Sequence, residues 1–202
     1  GGRSVLGIRP LLWKNGWPVA GEVFKEGTYE IESERRGYAL ELAVDFVRME
    51  YTRHRFWEKD DTPVVPLKPQ TLEDVIGTWP QGKINVRISD YMFRPHQKWT
   101  ITAVPDGGGY LGGPYYKIVI EGTNRALAAT AGAEIVTVPE FTGAPEQLWR
   151  IDQLTDGTYR IMPKKVPGTD KELVLVSVGD STPSLGIFDM NSDNSKWNFR
   201  DH

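Results

Sequence analysis

The stretch EQLWRIDQLTDGTYRI, Glu146 to Ile161, joins a strand bearing Trp149 to a strand bearing Tyr159 through the turn Thr155-Asp156-Gly157. Its parts recur. GTYEIES at Gly27, PYYKIVIE at Pro114 and GTYRIMP at Gly157 share a small or turn residue, a Tyr, a charged residue and an Ile. Each is followed by a second apolar run: YALELAVD, NRALAAT and KELVLVSVGD. Each unit then closes on a Trp, in RPHQKWTI, APEQLWRI and DNSKWNF. Trp99, Trp149 and Trp197 follow one another at intervals of about 50 residues. A period of this length marks a repeat architecture.

The runs are short, rich in Val, Ile, Thr and Tyr, and broken by Gly, Pro, Asp and Asn, which is strand and turn chemistry. Helix signals are confined to PQTLEDVIG, with Thr71 as N-cap and Glu73 and Asp74 in the first turn, and to PEQLW. The fold class expected is all-β. Three repeated units that close into a barrel remove the sheet edges and leave an axis to be filled by large rings. Trp99, Trp149 and Trp197 are therefore assigned to the core. The first unit carries roughly 30 extra residues, placed around residues 48–83, a charged and Pro-rich segment.

Bulk numbers set limits. The chain has 202 residues, 39% of them hydrophobic and 25% charged, enough for one domain with a core. Its net charge of −3 provides no basic field for nucleic acid, although Arg48, Arg53 and Arg55 cluster locally. No apolar run is long enough to span a membrane. There is no cysteine, and the three His (His54, His96, His202) are scattered, so no metal site is expected and no cofactor is assigned. No His lies near a G-x-S-x-G elbow, and GGGYLGG (107–113) lacks the following Lys-Ser/Thr of a phosphate loop. The chain is expected not to be an enzyme.

The motifs QKW at Gln97–Trp99 and QLW at Gln147–Trp149, with the degenerate SKW at Ser195–Trp197, resemble the Q-x-W units of the ricin B-type β-trefoil family. That resemblance implies a β-trefoil over residues 26–202, with units of about 26–101, 114–151 and 157–199, an insertion in the first, and an N-terminal hairpin extension over 1–25. It also implies carbohydrate binding, at up to one shallow site per unit, built from an Asp near the second strand, an aromatic ring on the third and an Asn near the Q-x-W. Glu41 stands at the Asp position of the first unit, with Asp45 nearby. Ala128 stands there in the second, which leaves Glu134 or Glu140 as substitutes. The third unit offers Asp180, Phe188, Asp189, Asn191 and Asn194, a ring and several hydroxyl partners. These five residues are the candidate binding site, with Phe188 as platform and the third strand expected to return it beside Asp180. The same residue types also make plain turns.

LGIRPLLWKNGWPVAGE, Leu6 to Glu22, resembles the closing strand of the five-bladed propeller glycosidases of the arabinanase and β-xylosidase type. Read alone, it is a hairpin turning at Asn15-Gly16. The resemblance implies a non-catalytic binding module at the C-terminal part of a secreted glycosidase that degrades arabinan- or xylan-type plant polysaccharide, extracellular, cell-surface or periplasmic, with the parent catalytic domain as its partner in cis; a monomer is expected. The alternative is a structural domain that docks on the propeller without binding sugar. The segment RMEYTRHRFWEKDD, rich in Arg, Tyr and Trp, serves either reading as docking face or stacking arm.

Overall fold

The computed structural model describes residues 11–14, 17–20, 24–44, 71–110 and 113–201. A short hairpin comes first, β1 (Leu11–Lys14) and β2 (Trp17–Ala20), paired so that Lys14 lies opposite Trp17. The expected turn at Asn15-Gly16 lies outside the described residues. Twelve strands follow. The first unit is β3 (Gly27–Ser33), β4 (Ala39–Leu42), β5 (Ile84–Ser89) and β6 (Trp99–Tyr110). The second is β7 (Gly113–Ile120), β8 (Ala126–Ala129), β9 (Ile135–Val138) and β10 (Trp149–Gln153). The third is β11 (Tyr159–Pro163), β12 (Val174–Val178), β13 (Thr182–Gly186) and β14 (Trp197–Asp201).

The outer strands of the units form a closed ring. β3 pairs with β6, β6 with β7, β7 with β10, β10 with β11, β11 with β14, and β14 returns to β3. The inner strands form three hairpins, β4–β5, β8–β9 and β12–β13. These hold one another: Ile84 lies opposite Thr137, Leu185 N–H donates to Ala133 O and Ile88 N–H to Ser181 O. A six-stranded barrel capped by three mutually bonded hairpins is a β-trefoil, as the repeat predicts. The insertion falls between β4, which carries Glu41, and β5. The described end of that insertion holds α1 (Leu72–Gly77), whose N-cap Thr71 and residue Asp74 form the reciprocal capping box. The segment RMEYTRHRFWEKDD lies outside the described residues.

The repeated Tyr and Trp meet in register. Tyr29 lies opposite Trp99, Tyr116 opposite Trp149 and Tyr159 opposite Trp197. All three indoles are fully buried. Each also needs a hydrogen-bond acceptor when buried. Each finds it in the second strand of its own unit: Trp99 Nε1 donates to Leu40 O (2.8 Å), Trp149 to Leu127 O (2.9 Å) and Trp197 to Leu175 O (2.8 Å). One ring therefore fills the core and pins the hairpin to the barrel.

Phe24 sits among the rings of Tyr29, Tyr116, Tyr159 and Phe199, with centroids 4.5–5.9 Å away. Its N–H donates to Tyr116 Oη (2.8 Å), and the Tyr116 hydroxyl lies 3.1 Å from Phe24 O. β3 starts at Gly27 and reaches the hairpin layer only at Glu32, opposite Ala39. Phe24 thus closes the barrel at the end away from the hairpins. No helix among the described residues is long and apolar enough to cross a membrane.

Candidate functional site

Between its third and fourth strands each unit makes an outward loop that ends in a single 3-10 turn: Pro95–Gln97, Pro145–Gln147 and Asp193–Ser195. The Gln of Q-x-W closes that loop. An amide has both acceptor and donor, and Gln is long enough to reach across. Gln97 Oε1 accepts from Met92 N–H (2.8 Å), and its Nε2 donates to Asp90 O (2.8 Å). Gln147 Oε1 accepts from Thr142 N–H (2.7 Å). Ser195 is too short for this. Its hydroxyl donates to Asp189 O (3.0 Å), and the loop is closed by its own side chains: Asp189 Oδ1 accepts from Asn191 N–H (2.9 Å) and Ser192 Oγ from Asn194 N–H (3.3 Å).

The first unit adds a buried polar cluster. Glu41 follows Leu40, the acceptor of the Trp99 indole, and is 1% exposed. The β4–β5 register puts Arg87 opposite it. Arg87 Nε lies 2.5 Å from Glu41 Oε1, while His96 Nε2 (3.3 Å) and Gln97 Nε2 (2.7 Å) approach Oε2. Burial alone would raise the Glu41 pKa. The hydrogen bonds from His96, Arg87 and Gln97 outweigh it and hold the carboxyl below its ordinary value. Arg87 also donates to Val44 O (3.1 Å), yet its side chain is partly open to solvent. The equivalent positions after Leu127 and Leu175 are Ala128 and Val176, so the first unit alone places a carboxylate there.

Phe93 stands in the loop that Gln97 ties to this cluster. It is 72% exposed and has a φ of 57°, a left-handed conformation that a bulky residue adopts only when its surroundings hold it there. Its ring packs 4.7 Å from that of Tyr91. Gln97 fixes both flanks: its Oε1 accepts from Met92 N–H and Arg94 N–H (3.4 Å), while its Nε2 donates to Glu41. The result is an exposed aromatic face on a braced loop, linked through one amide to a charged cluster. Sequence reasoning passed over Phe93, Arg87 and His96. The signal for His96 was its place beside Gln97 in HQKW; the signal for Arg87 was the strand pairing itself.

The third-unit residues are placed differently from the expectation. Phe188, Asp189, Asn191 and Asn194 share the loop before Ser195. Asp180 does not join them. It lies at the tip of the β12–β13 hairpin, past Val178 opposite Thr182, whereas Phe188 follows Gly186 at the other end, opposite Val174. Four residues of strand separate the two ends, about 13 Å. Asp180 instead pairs with Arg36 at 3.2 Å. The Phe188 ring is half-buried beneath the Arg160 guanidinium at 5.0 Å, and Arg160 in turn binds Asp152 (2.7 Å). Among the described residues, Glu134 and Glu140, the possible substitutes in the second unit, make no side-chain contact that would form a site with Ala128.

Residues 95–182 match the model of the family described as ricin-type β-trefoil lectin domain-like. Over that part the chain is similar to this family, and its fold is a β-trefoil. Solved structures agree in fold. A designed three-fold symmetric protein, ThreeFoil, is 19% identical with a TM-score of 0.56, covering 87% of this chain and 99% of its own. The β-trefoil lectin of the Vibrio vulnificus hemolysin/cytolysin, solved with N-acetyl-D-lactosamine bound, is 11% identical with a TM-score of 0.54, over 86% of this chain and 93% of its own. A mosquitocidal holotoxin is 15% identical with a TM-score of 0.58 over 89% of this trefoil-bearing chain, which spans only 18% of the toxin's length. A comparison with curated proteins finds no match.

Proposed function

We propose that this trefoil is a non-catalytic carbohydrate-binding module, with its principal site in the first unit. The observation that carries the reading is Phe93, an exposed ring held in a strained conformation beside a charged cluster. Sugar recognition needs a ring for the apolar C–H face and a few polar groups for the hydroxyls. Phe93 supplies the first; Arg87, the most open member of the cluster, supplies the second. The lectin-like family match and the sugar-bound Vibrio trefoil favour a saccharide as ligand. The third-unit loop, with Phe188, Asp189, Asn191 and Asn194, is a second platform of the same kind, favoured by its exposed amide and carboxylate groups.

The parent protein is proposed to be a secreted glycosidase acting on arabinan- or xylan-type plant polysaccharide, with this chain an extracellular, monomeric accessory part. The support is the resemblance of Leu6–Glu22 to the end of a propeller blade, and Trp17, 76% exposed on β2. An exposed Trp on a two-stranded ribbon suits an interface with another domain. Tethered to an enzyme, a weak site acts by raising local concentration.

The test is retention of the chain on insoluble arabinan, xylan and galactan. Phe93→Ala is expected to lose retention, and Phe188→Ala to lower it, with melting temperatures near that of the parent chain. If the unaltered chain is retained by none of the three, the domain is an accessory that docks on its enzyme without binding sugar.

A further inference from the structure

The third unit differs from the others in the connection from its first strand to its second. Lys164–Leu173 is twice as long as the corresponding Glu34–Tyr38 and Glu121–Arg125. It is an ordered structure. Val166 is buried and pairs with Thr169 across Pro167-Gly168, and Gly168 has a φ of 82°. Pro followed by a Gly at positive φ is the chemistry of a type II turn, whose shape is largely set before any ligand arrives. Thr169 Oγ1 accepts from Lys171 N–H (3.1 Å) and braces the exit.

This loop, with β7 and β10, walls a cavity of about 280 Å³. Small-molecule sites begin near 300 Å³, so the space suits roughly one sugar ring. Tyr115 forms one wall, with Lys164 Nζ 5.1 Å over its ring and donating to Gly107 O (2.6 Å). Arg150 forms another, bound to Asp152 at 2.8 Å. Lys165 and Lys171 flank the turn. Both are exposed, and among the described residues neither ammonium makes an ion pair. Asp170 and Glu172 also line the cavity, but three lysines exceed two carboxylates. The chain as a whole is acidic, so this excess is local.

We infer that this cavity is a second, anion-selecting subsite that takes the carboxylate or sulfate group of an acidic saccharide, the rest of the sugar lying against Tyr115. The inference rests on the carbohydrate-binding reading and adds the ligand's charge to it. Arg160 connects the two places: it binds Asp152 and also stacks on Phe188, so a saccharide of several units that fills the cavity runs toward the third-unit loop. Neither position needs the Phe93 face.

The experiment is affinity electrophoresis of the whole chain at about 0.15 M salt, where charges beyond roughly 8 Å are screened. The matrices are polygalacturonate, dextran sulfate and neutral galactan. The unaltered chain is expected to be slowed more by one acidic polymer than by galactan, and the polymer preferred separates carboxylate from sulfate. Lys165→Ala/Lys171→Ala should weaken that interaction about tenfold or more, as the loss of steering and pairing charges does, and leave galactan retention unchanged. Both residues are on the surface, and thermal melts of the variant serve as its folding control. Equal retention on acidic and neutral polymers, or an unaltered acidic interaction in the variant, overturns the subsite and leaves the binding module standing. Retention by none overturns both.

Discussion

Phe93 and Gly143 occupy the same place in successive units, four residues before the loop-closing Gln, and both hold a positive φ, 57° and 80°. Gly takes this conformation at no steric cost, whereas a side chain incurs about 1–2 kcal/mol. The Phe93 ring packs on Tyr91 but is 72% exposed, so the burial set against that strain is small. Phe93→Gly is therefore expected to leave the melting temperature unchanged or raise it, while polysaccharide retention falls. A variant that melts several degrees lower would show the ring to be structural and remove it from the site. The reverse change, Gly143→Phe, finds open space for its side chain and should lose only about 1–2 kcal/mol in a urea titration.

The three indoles should behave alike. Trp99→Ala, Trp149→Ala and Trp197→Ala each empty a fully buried site and are expected to destabilise by about 3–5 kcal/mol. Phe at the same positions keeps most of the volume and strands one carbonyl, of Leu40, Leu127 or Leu175, for about 1–3 kcal/mol. Equilibrium unfolding of the six variants checks this; a clear difference between units would break the three-fold equivalence.

Glu41 gives a pH dependence whose sign is fixed. Its folded pKa lies below the unfolded one, held there against burial by the bonds from His96, Arg87 and Gln97. The stabilisation is present above the unfolded value and lost as pH falls through the folded value. Urea midpoints should decline on the acid side of about pH 4.5. Glu41→Gln should flatten part of that decline, and at neutral pH it should be destabilising because Arg87 is left without its carboxylate.

Asp180→Ala is expected to leave saccharide retention as it was. The residue faces Arg36 at the hairpin tip and stands a strand's length from Phe188. Its contact is an exposed ion pair, so the melting temperature should barely move. A lost retention would return Asp180 to the binding site.

The repeat was legible because Tyr29, Tyr116 and Tyr159 each begin a unit and pair with the Trp that ends one, so core contacts echo a pattern visible along the chain. The Thr71 cap was legible for a similar reason: its partner Asp74 is three residues away. The Glu41 cluster was only half legible. Glu41 stood at a recognisable position, but Arg87 reaches it through a strand register set across the insertion, which spacing alone does not supply. The pairing of Asp180 with Phe188 failed because a hairpin returns its third strand past the turn by its whole length. A conformation such as that of Phe93 leaves no mark in a sequence, since Phe is not a residue that signals a left-handed turn.

Phe24 has a mechanical meaning. The segment 24–26 begins inside a ring of four aromatic side chains, and two reciprocal bonds to Tyr116 hold the Phe24 backbone. Tension on that segment is delivered to the barrel's own core, three residues before β3 begins. The joint therefore works as a clevis and not as a hinge: the backbone at Phe24 keeps its bearing relative to the barrel, and a pull on it is resisted by the packing of the whole domain.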